Sequence, residues 1–412
     1  MDAGLKDKVS PLLNKKIALF LISQNLSLFG SSVVDFAIFW HITLETSSGM
    51  WLTLYTVCAM LPEVLLSLWG GVLADRYNRK YLIMLADAFI ALATLALTVV
   101  FWTGIQRMEL LLAVAAVRSI GSGIQAPATN AIFPQLVPQE RLTRIQGINQ
   151  TLNSVLLLLS PATGGVILAS LGIVWTFALD VVTAALAILI FSFIKVEKMK
   201  RADLPASLLT ELRQGINYTF RHPLLRGIVI CQACSFFLIT PAAILSPLLV
   251  ERSFGSNVWK LTANEIAWTV GSLIGGIFVS LHGSFKDKIH TIALCLVAFG
   301  ISYSLMGMAG NFPLYLTIMG ISGLFMPVII TAQTVFIQEI AEPTMLGRVF
   351  SIVQIIAASA MPVAILFFGP LADVISVEAI MIVSGVFLAL TGILYKHTQK
   401  KVRKEKVVFE ND

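Results

Sequence analysis

Charge is what this sequence has least of. Only 13% of its 412 residues are Asp, Glu, Lys or Arg, against about 25% in soluble globular chains. That scarcity excludes a water-facing surface large enough to keep the chain in solution. Cysteine is sparse too: Cys58, Cys231, Cys234 and Cys295 all fall within apolar runs. The Cys231-x-x-Cys234 spacing suits a redox or zinc pair, but in an apolar helix it reads as packing, and no disulfide framework or metal site is implied. The phosphate-cradling GxxxxGK[ST] loop is missing, so there is no ATP-binding loop of that type. No nucleophile–base pair, metal-ligand cluster or haem motif stands out. The expectation is a non-enzyme without a cofactor, driven by an ion gradient or by its substrate's own gradient.

What the chain has in abundance is apolar length. It is 57% hydrophobic, with a mean hydropathy of +0.85. Its apolar runs exceed the roughly 18–20 residues needed to cross a hydrocarbon core. Only helices or closed barrels satisfy the backbone in lipid, and no alternating strand pattern is present. The fold class is therefore an all-α polytopic membrane protein. Twelve spans are expected, at 17–44, 49–70, 81–104, 109–133, 145–171, 173–194, 224–250, 263–282, 289–309, 312–337, 347–374 and 377–395. The first apolar run is too long for a cleavable signal and no small-residue cleavage site follows it, so it reads as an uncleaved first span.

Orientation follows from Lys and Arg placement. With the N-terminus inside, 25 of the 29 basic residues fall on inner segments, leaving Arg107, Arg252 and Lys260 outside and Arg118 within a span. Both termini are expected to be cytoplasmic, in a cell (inner) membrane. The net charge of +6 is this bias, and nucleic acid is not an expected partner. Trp40, Trp51, Trp102, Trp175 and Trp259 lie near outer boundaries, as an interfacial belt would.

The longest inner segment divides the chain into a six-helix half at 1–194, a linker at 195–222 and a second six-helix half at 223–412 with a basic tail. Helical apolar spacing from Leu208 to Ile216 predicts an amphipathic helix on the inner surface. The halves echo each other. Gly123 and Pro127 in the fourth span recur as Gly323 and Pro327 in the tenth, and Gly70-Gly71 recurs as Gly275-Gly276. Two parallel six-helix halves are the plan of one transporter class, with a midplane site between them.

Three motifs stand out. Gly70, Gly71, Asp75, Arg76, Arg79 and Lys80 mark a cationic turn between the second and third spans. Gly71 would let another helix come close, and Asp75 would sit at a neighbouring helix N-terminus, expected to be that of the eleventh span, where the dipole favours an anion. Arg76, Arg79 and Lys80 would pair with it and with anionic headgroups, forming a cytoplasmic latch. The second motif is Arg118-Ser119-Ile120-Gly121-Ser122-Gly123. The third is Ser160-Pro161-Ala162-Thr163-Gly164-Gly165, which allows a bend and close packing in the fifth span.

These motifs make the chain resemble a major facilitator superfamily transporter over essentially its whole length. The turn resembles the superfamily signature with Asn78 where Gly is common, and the fifth-span motif resembles the antiporter motif with Ser160 where Gly is usual. Within the superfamily the stretches 70–80, 118–127 and 344–351 are similar to the bacterial macrolide-efflux group of drug:proton antiporters. The resemblance implies export by proton antiport.

Charges inside spans are functional hypotheses by default. Asp35 shares a helical face with Gln24, Ser27 and Ser31. Arg118 shares one with Ser122, Gln125 and Thr129, and Gln146, Asn149, Gln150 and Asn153 form a third polar stripe. Asp35 and Glu63 are expected to carry protons or meet a cationic substrate group, with Arg118 tuning them. Asp87 and Asp180 lie in spans the superfamily places peripherally and are expected to make packing hydrogen bonds. Glu251, Arg252 and Glu265 are expected in the outer loop or at its edge. The expected function is a monomeric secondary exporter of bulky amphiphilic compounds, macrolide-like drugs first, with protons and membrane lipids as its other partners. A lysophospholipid or siderophore exporter is the alternative, and a non-transporting scaffold or receptor the third reading.

Overall fold

The computed structural model describes residues 15–137, 139–196, 208–282, 285–342 and 345–409. Among them are thirteen helices and no strand: α1 Lys15–Thr46, α2 Gly49–Arg76, α3 Arg79–Trp102, α4 Met108–Leu136, α5 Gln139–Ser170, α6 Ile173–Ser192, α7 Leu208–Arg221, α8 Pro223–Phe254, α9 Val258–His282, α10 Lys288–Gly307, α11 Phe312–Ile340, α12 Leu346–Leu371 and α13 Val377–Phe409. All except α7 are long and apolar enough to cross a membrane, twelve in all. The major facilitator expectation of twelve spanning helices therefore stands.

Several boundaries moved. The stretch at 70–80 is helical through Arg76, and only Tyr77 and Asn78 separate α2 from α3. Nothing after Gly71 breaks the helix, and the Asn78 side chain caps α3 by accepting from the Lys80 amide at 3.0 Å. Helix α9 starts at Val258 rather than 263, with Asn257 accepting from the Trp259 amide at 3.2 Å.

By packing the chain divides into two units. The first comprises Met1–Ile38 and Cys58–Ala202, the second Phe39–Val57 and Asp203–Asp412. Lipid gives helices no hydrophobic drive to associate, so tight backbone approach through small residues carries the packing. In the first unit a Cβ on Gly70 of α2 would run into the Gly123 carbonyl of α4 and sit 3.2 Å from Pro127. In the second, a Cβ on Gly275 of α9 would run into the Leu324 carbonyl of α11, next to Gly323. Around Phe20, an apolar cluster with Phe133, Phe191, Ile83 and Ile132 closes the first unit at the end rich in Lys and Arg. The linker helix α7 packs on α12: Gly215 lies against Arg348 and Ile352, and the Tyr218 hydroxyl accepts from the Glu342 amide at 3.1 Å.

Candidate functional site

Four helices of the first unit converge on one buried cation. Gln24, Ser27, Ser31 and Asp35 recur on α1 at helical spacing and share a face. Gly30 brings α1 against α6, where an added Cβ would lie 3.1 Å from the Asp180 Cα. Asp180, fully buried, accepts from Arg118 Nη1 at 2.5 Å, Thr94 Oγ1 at 2.9 Å and Ser31 Oγ at 3.2 Å. The other terminal nitrogen, Arg118 Nη2, donates to the Ser31 carbonyl at 3.3 Å and stands 3.4 Å from Asp35. The Asp35 side chain is 59% exposed and that of Asp180 is not exposed at all. One cation thus faces two carboxylates, one sealed and one open.

A second node lies beside it. Asp87 on α3 is buried and accepts from Ser27 at 2.8 Å and Gln125 at 2.5 Å, which ties α3 to α1 and α4. Thr129 donates to Gln24 at 3.1 Å, and Asn25 donates to Asn149 at 3.2 Å. Along α5, Asn149 and Asn153 are half-buried while Gln146 and Gln150 are exposed, so the helix presents a graded polar stripe. Glu63, after Pro62 in α2, is half-buried. Its backbone amide donates to Ser119 Oγ at 2.9 Å.

Arg118 is expected to tune Asp35 and Glu63; it stands 3.4 Å from Asp35 and makes its shorter contact, at 2.5 Å, with Asp180 of α6. Gly71 is expected to permit a close helix; an added Cβ there meets no atom of its own unit within 4 Å, and inside the unit the close approach is at Gly70, one position round the helix. Arg79 donates to the Ala74 carbonyl at 2.9 Å and the Ala131 carbonyl at 2.8 Å, and Lys80 donates to the Ser192 and Ile194 carbonyls at 2.6 and 2.8 Å. Both satisfy carbonyls near helix ends, where a cation is favoured. Arg76 is exposed, and the Asp75 side chain lies outside the described residues. Within α5, Ser160, Pro161, Gly164 and Gly165 are buried, and a Cβ on Gly164 would lie 3.3 Å from the Val33 carbonyl of α1.

The second unit holds a carboxylate expected in the outer loop or at its edge. Glu265 lies on the third turn of α9 and lines a cavity of about 230 Å³ with Ser246, Trp268, Tyr303, Met319, Met326 and Met361. The early start of α9 at Val258 carries it inside the helix. A signal was available: the repeat that aligns Gly70 with Gly275 puts Glu265 one helical turn from the counterpart of Glu63.

Residues 6–409 match the family described as transmembrane secretion effector. Macrolide efflux protein A of Streptococcus pyogenes is 29% identical over 387 residues, covering 92% of this chain and 96% of that protein. The multidrug efflux pump Tap of Mycobacterium tuberculosis is 22% identical over 378 residues, covering 89% of this chain and 88% of its own. Among solved structures, an inward-facing bacterial homologue of the iron transporter ferroportin superposes with a TM-score of 0.72 at 13% identity, covering 92% of this chain and 98% of that one. At that identity the likeness concerns the fold.

Proposed function

Since the chain belongs to the transmembrane secretion effector family of major facilitator transporters, we propose that it is a proton-driven exporter of bulky amphiphilic compounds, macrolide-like drugs first among them. It is a multi-pass membrane transporter and not an enzyme. In this reading the end rich in Lys and Arg faces the cytoplasm of a bacterial inner membrane, and the protein works as a monomer through alternating access. The named relatives are macrolide and multidrug efflux pumps, which supports drug efflux as the task.

The observation that carries the antiport reading is that Arg118 faces two carboxylates of unequal exposure. Asp180 is sealed against the guanidinium at 2.5 Å, whereas Asp35, at 3.4 Å, has a side chain 59% exposed and accessible to a proton. A carboxylate within a membrane span is a functional candidate by default. In this reading Asp35 takes up and releases the coupling proton as the transporter alternates.

Purified protein in proteoliposomes, loaded with a radiolabelled macrolide and given an imposed pH gradient, tests this. Wild-type flux is expected to follow the gradient, and Asp35→Asn to lose that dependence while still exchanging substrate down its own gradient. Unchanged flux with unchanged pH dependence in the variant would sink the assignment. A lipid or siderophore cargo is the second reading. Its lipid form is favoured by an apolar cavity of about 370 Å³ in the second unit, lined by Phe237, Phe368, Leu371, Ile380 and Phe387. A lysophospholipid-translocation assay on the same vesicles separates the two.

A further inference from the structure

Glu265 lies outside the Arg118 network, and the antiport step described above does not use it. Its surroundings are built. Asn264, on the same turn of α9, is held in place: its Oδ1 accepts from the Tyr315 hydroxyl at 2.9 Å and its Nδ2 reaches Ser246 Oγ at 3.3 Å. That fixed amide gives Glu265 Oε1 a single long hydrogen bond, at 3.4 Å. A carboxylate has about four acceptor sites, so most of its capacity faces the cavity. Among the described residues no Lys, Arg or His forms an ion pair with it.

The walls narrow the ligand class. Trp268 and Tyr303 bring aromatic rings, which attract a cation through their faces, and Met319, Met326 and Met361 bring soft, adaptable thioethers. A neutral polar group would gain nothing from the aromatic faces, and an uncharged apolar group would leave the carboxylate uncompensated. A hard divalent cation needs six or more oxygen ligands, whereas this cavity offers one carboxylate among apolar walls. An alkylammonium satisfies both features: its N–H meets the carboxylate and its methyl groups meet the rings and thioethers. Size agrees. At about 230 Å³ the cavity is smaller than the 300–1,000 Å³ typical of whole-ligand sites, so it takes an end group and leaves the bulk of the molecule outside.

We propose that Glu265, Trp268 and Tyr303 form a subsite in the second unit for the protonated amine of an amphiphilic substrate. The proposal rests on the exporter reading and deepens it: the amine-bearing end of the cargo is held on α9 and α10.

Equilibrium binding to the full-length protein in detergent, which needs no gradient, tests it. The probes are radiolabelled erythromycin, which carries a basic dimethylamino group, and an N-demethylated, N-acetylated derivative with the same ring and no basic nitrogen. Wild type is expected to prefer erythromycin at pH 7. Glu265→Gln should weaken erythromycin by about ten-fold or more, the loss expected for one charge-assisted hydrogen bond. It should leave the acetylated compound within about two-fold, which also shows that the variant is folded. Glu265→Asp should recover part of the preference, and Trp268→Leu should reduce it. An equal loss for both compounds, or none for either, overturns the subsite, the first outcome marking Glu265 as structural and the second as a protonation site only. Selective binding that persists in a protein without gradient-driven flux would sink the antiport reading and leave the subsite standing. No saturable binding of either compound to wild type overturns both.

Discussion

Asp373 and Arg252 meet at 3.0 Å and together fix the turn between α1 and α2. Asp373, just past the end of α12, accepts from the Gly49 amide at 2.7 Å, the Met50 amide at 2.8 Å and Ser48 Oγ at 2.8 Å. Arg252, in the last turn of α8, donates to the Ala372 carbonyl at 2.5 Å and the Ser47 carbonyl at 2.6 Å. An acid from a segment far along the chain thus caps the N-terminus of α2, where the orphan amides and the helix dipole favour an anion. All of these residues belong to the second unit.

Removing this cap has a bounded cost. Asp373→Ala should destabilise by about 1 kcal/mol, as loss of an N-cap side chain does. In a unit of this size that corresponds to a fall of about 2–4 °C in Tm. Thermal unfolding of the purified protein checks it. Arg252→Ala should cost a similar amount, and the double variant less than the sum, because each residue acts through the other.

The same cap sets a pH dependence. Burial alone would raise the Asp373 pKa, but the bonds from Met50, Gly49, Ser48 and Arg252 outweigh it and hold the carboxyl below its ordinary 3.8. A depressed carboxylate contributes stability that is fully present above the unfolded value and is lost as pH falls through the folded one. The Tm gap between wild type and Asp373→Asn should therefore be constant from about pH 8 to about pH 5 and should narrow only below about 4. A gap that changes between pH 6 and 7 would contradict this assignment.

Asp180 and Asp35 share Arg118 and should nevertheless behave differently. Breaking a buried ion pair by removing one partner costs about 3–5 kcal/mol, because the remaining charge is stranded. Asp180→Ala is therefore expected to lose folded protein in a detergent-stability assay, and adding Arg118→Gln should restore part of the yield. Asp35→Asn, on the open side of the same guanidinium, should keep the wild-type Tm within about 2 °C, a surface-like effect, and show its defect in coupling. Equal destabilisation by Asp35→Asn and Asp180→Ala would remove the distinction between a sealed and an open carboxylate.

Much of this was legible in the sequence for physical reasons. Span number follows from apolar length, which lipid enforces, and the repeat follows from Gly and Pro positions that tight packing demands. The facing of individual residues was harder to read. Arg118 was visible as a buried charge, but its short contact with Asp180 joins α4 to α6 across 62 positions of the sequence and left no local signal. Glu265 was expected in the outer loop or at its edge because Lys260 reads as outer loop, whereas Asn257 caps α9 and the helix starting at Val258 carries Glu265 further inside. Asp373 had no local signal at all, since its partners Ser48, Gly49 and Met50 lie at the far end of the chain. The chemistry expected of Asp75, an acid at a helix start, is the chemistry found at Asp373.

The two glycine pairs offer the sharpest test of the repeat. Gly70 and Gly275 occupy equivalent places, each with its Cβ direction blocked by a carbonyl of the helix it crosses, Gly123 in one unit and Leu324 in the other. Their neighbours Gly71 and Gly276 point where an added Cβ finds no atom of its own unit within 4 Å. A shared ancestry of packing predicts the same asymmetry twice. Gly70→Ala and Gly275→Ala must push backbone against backbone and should each cost about 1–3 kcal/mol, the range for overpacked sites. Gly71→Ala and Gly276→Ala add a methyl group that meets no atom of its own unit and replace the weakest common helix former with the strongest, so they should be neutral or stabilising by up to about 1 kcal/mol. Four single variants in one thermal-unfolding series decide the matter. A loss at Gly71 or Gly276 as large as at Gly70 or Gly275 would show that the second glycine of each pair is the packing residue, and that the two helix crossings are not the equivalent joints described here.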